Sequence, residues 1–344
     1  MRQTMQCYVV EAPGRLALRE VPIPVPGRYE ALCRLKWAGT CTATDQHIIE
    51  GRMPFEVPYP CILGHESVGE VVELGPGTTT YRVGDHVSRV GAPAGLAEGL
   101  GIAWGGYSQW GIAVDHWAMA RDGIEPGQYR AALVNQIIPG DIPLQECAML
   151  TTWRETLSFI RRMGVGPGSR VLVVGSGGNG LSFARHAVNL GAGWVAVAGS
   201  ASRLRQAQAL GAAAAVDYRD TDAAAKLREA MPGPFDFILD AVGSDGAMDP
   251  YLGLLAPGGT VAVYGIEAMG QYRMKPLAAP GSFRFYQGGY REEETHQAVI
   301  DMMRMGRLRS EPFMGDSSYG FAELPQAFMD LKARRLVKAR ICLA

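Results

Sequence analysis

The sequence lacks the closely spaced cysteines that structural metal lobes and disulfide scaffolds need. Its six cysteines are scattered along 344 residues without a CxxC pair, at positions 7, 33, 41, 61, 147 and 342. Neither a disulfide framework nor a four-cysteine zinc lobe is therefore expected, and a metal bound by this chain needs mixed ligands.

An excess of charge and a long apolar run are also missing. The 33 lysines and arginines oppose 34 aspartates and glutamates in an interleaved order, so no basic field attracts nucleic acid or an anionic membrane. No apolar run approaches the roughly 18 residues of a membrane helix, and Glu11 interrupts the start before a signal-like stretch has formed. We expect a cytoplasmic protein that binds neither nucleic acid nor membrane.

The sequence pattern changes character along the chain. From Cys7 to Asp122, short runs of Val, Leu and Ile bounded by Gly and Pro predict an antiparallel, barrel-like domain. Farther on, strands alternate with helices of about ten to fifteen residues, which predicts crossover units and a doubly wound parallel sheet. We expect one domain over 1–145, completed by 288–344, and a second over 146–287.

A glycine-rich turn follows the first apolar strand of the second domain. The segment RVLVVGSGGNGLSFARHAVNLGA places Gly175, Gly177 and Gly180 as GxGxxG between a strand and an amphipathic helix. The first glycine permits the tight turn, the second lets the backbone approach a pyrophosphate, and the third allows close helix packing. We predict a nicotinamide dinucleotide site, with Gly178 and Asn179 in the same loop at the helix N-terminus.

No carboxylate stands where the adenosine ribose is normally bound. Residues 181–216 contain neither Asp nor Glu, and the end of the next predicted strand reads AGSASR. The Ser200 hydroxyl can donate to a 2′-phosphate, and the Arg203 guanidinium can pair with it. We therefore expect NADP rather than NAD; the alternative is that Arg203 is simply a solvated helix residue.

Two clusters before residue 70 carry metal-ligand chemistry. The segments GTCTATDQH and ILGHESVGEV contribute Cys41, Thr44, Asp45, His47, His65 and Glu66. A thiolate, an imidazole and a carboxylate from two loops make the three-ligand arrangement of a catalytic zinc, with a fourth position for water or a substrate oxygen. Taken singly, each of these residues is more often an ordinary core or surface residue.

The segments together resemble the zinc-type medium-chain dehydrogenase/reductase family of alcohol and polyol dehydrogenases. They occur in family order over nearly the whole chain: PGRYEALCRLKWAGTCTATDQH, GHESVGEVVELGPG, YRVGDHV, GVGPGSRVLVVGSGGNG, LGAAAAVDY, FDFILDAVG and LAPGGTVAVYG. The resemblance implies an α/β protein in which a GroES-like β-barrel catalytic domain is joined to a Rossmann domain with a doubly wound parallel sheet. It also implies hydride transfer between a nicotinamide and an alcohol or carbonyl carbon.

The resemblance gives each residue of the two clusters a role. It implies that the catalytic zinc is bound by Cys41, His65 and Glu66. Thr44 and His47 would relay the proton of the alcohol to solvent, and Asp45 would hold a ligand histidine or fix its loop. A small alcohol or ketone would be the substrate, and the chain would form a homodimer or homotetramer.

Three departures from the family pattern bear on these roles. Three residues separate Cys41 from Asp45 where the family has two, so the ligand position falls on Cys41 with an inserted residue or on Thr42 without one. We prefer Cys41 because a neutral hydroxyl is a poor zinc ligand. The ligand that other members supply just before the Rossmann domain falls on Thr151. The loop GAPAGLAEGLGIAWGGYSQW has no cysteine, so we expect no structural zinc.

These observations predict a zinc-dependent oxidoreductase that prefers NADP and acts on a secondary alcohol or ketone, with a polyol or cyclitol as a narrower version. A zinc-free, NADPH-dependent enone or quinone reductase of the same superfamily is the alternative, which Thr151 favours and the pair His65 and Glu66 disfavours. A non-catalytic redox sensor is a third hypothesis, against which the relay residues count. The aromatic candidates for substrate contacts are Trp37, Trp104, Tyr264 and Phe285.

Overall fold

The computed structural model describes residues 3–344 and divides the chain into two compact units. One unit comprises the chain up to Thr151 together with His296–Ala344, and the other comprises Thr152–Thr295. The second unit is thus inserted into the sequence of the first.

The domain limits expected from the sequence differ from these bounds by a few residues and stay a prediction. The sequence predicted 1–145 with 288–344 for one domain and 146–287 for the other. Residues 1 and 2 lie outside the described residues.

The first unit begins with short strands that are mostly antiparallel. They are β1 (Thr4–Ala12), β2 (Arg15–Pro22), β3 (Glu30–Gly39), β4 (Cys61–Ile62), β5 (Glu66–Leu74), β6 (His86–Ser88), β7 (Gly101–Ile102), β8 (Trp110–Val114) and β9 (Ile137–Ile138). The helices among them are α1 (Thr44–Glu50), α2 (His116–Arg121) and α3 (Pro126–Tyr129). Apolar runs closed by Gly and Pro produce these strands, as the sequence pattern predicts.

The second unit alternates strands with helices. Its strands are β10 (Arg170–Val174), β11 (Trp194–Gly199), β12 (Ala214–Asp217), β13 (Phe235–Asp240), β14 (Leu255–Val263) and β15 (Arg284–Tyr286). Its helices are α4 (Leu150–Met163), which starts at the boundary, α5 (Gly178–Asn189), α6 (Leu204–Ala209) and α7 (Ala223–Ala230). All pairs in this sheet are parallel, in the order β12-β11-β10-β13-β14-β15. The predicted doubly wound parallel sheet is confirmed.

The chain then returns to the first unit and completes its sheet. The remaining elements are α8 (His296–Arg304), α9 (Glu311–Met314), β16 (Tyr319–Gly320), α10 (Leu324–Lys332) and β17 (Arg340–Cys342). β17 pairs antiparallel with β3, in a sheet ordered β16-β17-β3-β5-β6-β9, and a second sheet is ordered β2-β1-β4-β7. Short 3-10 helices span Arg130–Val134, Glu146–Met149, Ala201–Arg203, Asp249–Leu254, Pro276–Ala278, Glu292–Thr295 and Phe321–Glu323.

Each unit encloses its own apolar core. In the first, the core includes Ile48 on α1, Leu63 between β4 and β5, and Tyr107. In the second, Leu172 and Ile238 belong to a cluster that fills one side of the parallel sheet. Over residues 3–344, none of the helices combines the length and the apolar character that crossing a bilayer requires.

A buried histidine in the second unit predicts acid sensitivity. His186 lies on α5 without exposed surface. Its pKa falls to about 3, mainly because burial disfavours the cation; the backbone of Trp153 opposes this shift, and Arg161 and Arg185 add to it. The unfolded histidine takes up a proton near pH 6.5, whereas the folded one does not until about pH 3. The free energy of unfolding therefore decreases as the pH falls through this window, by up to about 1.4 kcal/mol per pH unit.

We expect His186→Leu to flatten this pH dependence by about that amount. The measurement is the free energy of unfolding from urea denaturation at several pH values between 7 and 4, in the variant and in the parent. Equal slopes in the two proteins would contradict the assignment, since all other titrating groups are shared.

Candidate metal centre and dinucleotide loop

Three metal-ligating side chains converge in the first unit. Cys41 follows the end of β3, while His65 and Glu66 stand at the start of β5; one ligand atom from each lies within 4.8 Å of the others. All three residues are buried, with 8%, 7% and 3% of their surface exposed. β3 and β5 pair antiparallel so that Gly39 lies opposite Glu66. Strand register therefore joins two clusters that are distant in the sequence.

Gly39 leaves the space that the Glu66 carboxylate occupies. A Cβ at this position would lie 2.6 Å from Glu66 Oε2 and would overlap the backbone carbonyl oxygen of Ala148. Since backbone cannot move aside as easily as a flexible side chain, only glycine fits here.

Asp45 lies against the imidazole of His65. This fully buried carboxylate on α1 places Oδ1 3.2 Å from His65 Nδ1. Its Oδ2 accepts hydrogen bonds from the Cys41 backbone N–H at 2.9 Å and from the Tyr107 hydroxyl at 2.5 Å. With the proton on Nδ1 facing Asp45, the lone pair of Nε2 points into the cluster, where Glu66 Oε1 lies 3.8 Å away.

The same carboxylate shifts the pKa of both partners. Burial by itself lowers the pKa of His65, but the charges and hydrogen bonding of Asp45 and Cys41 together outweigh it and raise the pKa well above its usual range. Burial and the Asp45 charge raise the pKa of Tyr107 well above its usual range as well. The tyrosine hydroxyl therefore stays protonated and acts as a donor.

Glu66 also belongs to a buried ion pair. Lys338 Nζ donates to Glu66 Oε2, and both side chains are 3% exposed. The ammonium offsets the carboxylate charge and holds one oxygen, while the other faces His65. Sequence reasoning identified neither Lys338 nor the contact of Tyr107 with Asp45. Neither residue stands in a local motif that could have identified it.

The structure separates the two candidates for the cysteine position. Cys41 is buried within the cluster, whereas Thr42 is exposed and its hydroxyl donates to the Val337 carbonyl at 3.4 Å. The inserted residue thus lengthens the loop without displacing the thiol. Thr151, on α4, is buried.

The predicted relay residues lie on the helix that follows. Thr44 opens α1 half-buried, and His47 stands three residues later with its ring buried. Positions three apart are neighbours on one helix face. The structure thereby places both residues on one face of the helix that also carries Asp45.

The glycines of the second unit form a tight strand-to-helix turn. Gly175 follows β10 with a φ of +113°, a conformation that L side chains rarely adopt. A Cβ at Gly180 would overlap the Gly175 carbonyl oxygen, so α5 packs closely on the turn. Gly177 faces open space, next to Gly178 and the half-buried Asn179 in the first turn of α5. This geometry leaves room for an anion at the helix N-terminus.

Hydroxyls and a guanidinium meet at the end of β11. The Ser200 N–H donates to Ser176 Oγ at 3.0 Å, and Arg203 Nη1 donates to the Ser176 carbonyl at 3.2 Å. Both predicted residues therefore contact the glycine turn. Ser176, within that turn, was not singled out from the sequence.

Two residues at the end of β12, the strand next to β11, lie near this site and were not singled out from the sequence. The Tyr218 N–H donates to the Gly199 carbonyl at 3.0 Å. The Arg219 guanidinium lies 5.3 Å from the Tyr218 ring centre. The signal available was their position, because Tyr218 ends the segment LGAAAAVDY and Arg219 follows it directly.

One of the four aromatic candidates lies next to the cluster of Cys41, His65 and Glu66. The indole of Trp104 lies 5.3 Å from the His65 ring, measured between centroids, in a tilted arrangement. Trp37 is half-buried on β3, and Tyr264 and Phe285 belong to the second unit.

Comparison with known protein families gives two matches in one chain. Residues 27–121 match the alcohol dehydrogenase GroES-like domain, and residues 177–303 match the zinc-binding dehydrogenase domain.

Individual proteins match over most or all of the chain. An L-galactonate-5-dehydrogenase from Escherichia coli is 28% identical over 98% of this chain and 99% of its own length. An NADP-dependent alcohol dehydrogenase C from Mycolicibacterium smegmatis is 31% identical over 70% of each chain. The crystal structure of a benzyl alcohol dehydrogenase from Acinetobacter calcoaceticus has a TM-score of 0.83 at 20% identity, covering 99% of this chain and 100% of that one.

Proposed function

Because the chain belongs to the family of zinc-binding, NAD(P)-dependent alcohol dehydrogenases, we propose that it prefers NADP and interconverts a secondary alcohol with its ketone at one catalytic zinc. The observation that carries the proposal is the convergence of Cys41, His65 and Glu66 in a buried cluster. Each chain would bind a single zinc, without a structural one, and would assemble as a homodimer or homotetramer.

The donor set fits zinc. Thiolate sulfur, imidazole nitrogen and carboxylate oxygen are its usual protein ligands, and neighbouring ligands on a tetrahedral zinc lie about 3.3–3.8 Å apart. His65 Nε2 and Glu66 Oε1 are 3.8 Å apart, and the ligand atoms of the cluster all lie within 4.8 Å of one another. Three protein ligands leave one position for the substrate oxygen.

Other side chains of the first unit would orient the ligand histidine and transfer the proton. Bound zinc would polarise the substrate oxygen and lower the pKa of an alcohol, while the nicotinamide would take or give the hydride. Asp45 keeps the proton on Nδ1 of His65, so Nε2 remains available as a ligand. The Thr44 hydroxyl would accept the proton of the alcohol while it gives its own proton to the His47 imidazole, which would release it towards solvent.

The residues that follow β11 support the preference for NADP. Ser200 and Arg203 stand where a carboxylate would otherwise bind the ribose hydroxyls, and Arg203 is held against the glycine turn. The relative from Mycolicibacterium smegmatis, named as NADP-dependent, agrees with this preference. A guanidinium fixed in that place can pair with a 2′-phosphate.

A polyol substrate is a narrower version of the proposal. The relative from Escherichia coli is named for a sugar acid with several hydroxyl groups, and it aligns over almost the whole chain. The ligand set with a carboxylate in place of a second cysteine is also the one that the polyol branch of the family suggests.

Chelation tests the proposal directly. We expect the protein to reduce NADP in the presence of secondary alcohols, to lose this turnover after zinc removal, and to recover it when zinc is restored. The measurement is nicotinamide absorbance across a panel of alcohols before and after dialysis against a chelator. Turnover that persists in metal-free protein would contradict the assignment.

The Tyr107 hydroxyl should strengthen zinc binding indirectly. In Tyr107→Phe the Asp45 carboxylate loses a donor, so it holds His65 less firmly, and we expect zinc affinity to fall by about tenfold to a hundredfold. Competition with a chromophoric chelator measures this. Tyr81→Phe is the matched control, because Tyr81 is equally buried in the same unit and its hydroxyl donates to the Val114 and Asn135 carbonyls. Equal affinities in the two variants would refute the role.

A further inference from the structure

A small apolar cavity lies in the first unit, beside the candidate metal ligands Cys41, His65 and Glu66, which are called the metal cluster below. It has a volume of about 220 Å³, and its lining contains no charged side chain. Phe55, Val57 and Trp104 form part of its wall, and Ile48 closes it from α1. The cavity therefore reaches the helix that carries the relay residues.

Trp104 belongs both to the cavity wall and to the surroundings of the metal cluster. Its indole lines the cavity and lies 5.3 Å from the ring of His65, centroid to centroid. The side chain is 45% exposed. A group attached to the reacting carbon, with its oxygen near His65, would therefore contact this indole.

The backbone holds the indole in this place. Trp104 has a φ of +63°, in the left-handed region that a bulky residue adopts only when its surroundings impose it. On either side of it, Ala103 N–H donates to the Ile62 carbonyl at 2.7 Å and Gly106 N–H to the Gly64 carbonyl at 2.6 Å. These bonds tie the loop to the segment that leads into His65, so the wall is preformed.

The size and chemistry of the cavity define what it can accept. An apolar cavity of about 150 Å³ in another protein holds benzene, so 220 Å³ accommodates a phenyl ring or a short alkyl chain. A chain of hydroxyls would lose its hydrogen bonds to water here, and each unpaired hydroxyl would weaken binding by about tenfold or more. Among the described side chains that line the cavity, the Trp104 indole alone carries a polar hydrogen.

We propose that Trp104 is a specificity-determining residue and that the substrate carries one apolar group, phenyl-sized or short alkyl, on the reacting carbon. This inference rests on the proposed function. Within that function it favours a substrate with an apolar group over a polyol. The indole face and Phe55 contact the apolar group, while the metal cluster receives the oxygen.

Steady-state kinetics with two alcohols tests the inference. We expect kcat/KM for 1-phenylethanol to exceed that for sorbitol by at least about a hundredfold in the unaltered enzyme. Trp104→Leu should lower the value for 1-phenylethanol by about tenfold or more and leave sorbitol within about threefold, whereas Trp104→Phe should restore most of the loss. The matched control is Leu18→Ala, which shortens an apolar side chain that is 44% exposed on β2 of the same unit, and it should change neither value.

Each outcome separates this inference from the proposed function. A higher kcat/KM for sorbitol, or an equal loss for both alcohols in Trp104→Leu, would overturn the inference and leave the alcohol dehydrogenase assignment intact. If neither alcohol were oxidised, calorimetric titration with acetophenone would decide: binding that weakens about tenfold in Trp104→Leu supports the inference, and unchanged or absent binding overturns it.

Discussion

Cys41→Ser and His65→Ala should each abolish stoichiometric zinc binding and lower turnover by far more than a hundredfold. Losing an outer partner of a ligand already costs about tenfold to a hundredfold in affinity or activity, and these substitutions remove a ligand itself from a set of three. Elemental analysis of the purified protein should find about one zinc per chain in the parent and almost none in either variant.

Thr42→Val is the matched control for the thiol. Thr42 is the other residue onto which the ligand position could fall, yet it is exposed and bonded to the Val337 carbonyl. Zinc and turnover should therefore persist in Thr42→Val. Zinc retained in Cys41→Ser and lost in Thr42→Val would reverse the assignment. A folded parent that binds NADPH without zinc would favour the metal-free reductase, and the substrate search would turn to enones and quinones.

Arg203→Ala should raise the KM for NADP by about tenfold to a hundredfold and leave the KM for NAD nearly unchanged. A hydrogen bond to a charged group contributes about 1.5–3 kcal/mol, which corresponds to that range. Ser200→Asp should go further and reverse the preference, because a carboxylate repels a 2′-phosphate and accepts hydrogen bonds from the ribose hydroxyls of NAD. Initial rates with both nicotinamides at one saturating alcohol concentration measure the two effects.

Arg205→Ala controls for the removal of a positive charge, since this exposed arginine lies two residues farther along the chain, on α6. It should change neither KM by more than about twofold. If Arg203→Ala raised both KM values equally, Arg203 would act by holding the glycine turn through the Ser176 carbonyl. The preference for NADP would then lose its main support.

Local sequence pattern predicted the fold class and the family, and both are confirmed. The strand RVLVV, the turn at Gly175 and the helix after it are specified by neighbouring residues, so periodicity and glycine positions suffice to identify them. The same is true of the alternation that builds the parallel sheet of the second unit.

The surroundings of the metal cluster could not be predicted in this way. Lys338 contacts Glu66 across 272 positions of the sequence, and Tyr107 contacts Asp45 across 62. Such contacts follow from strand register and loop packing, which no local pattern encodes. Likewise, the observation that favours Cys41 over Thr42 is burial, a property of the assembled unit.

The pairing of β17 with β3 sets an order of events during synthesis. Lys338, just before β17, neutralises Glu66, and β17 lies against the strand that leads to Cys41. A ribosome must therefore translate beyond position 338 before this ion pair can form, whereas the second unit ends at Thr295 and can fold while translation continues. A nascent chain stalled within α10 would contain Cys41, His65 and Glu66 but would lack both β17 and the ammonium that offsets the Glu66 charge.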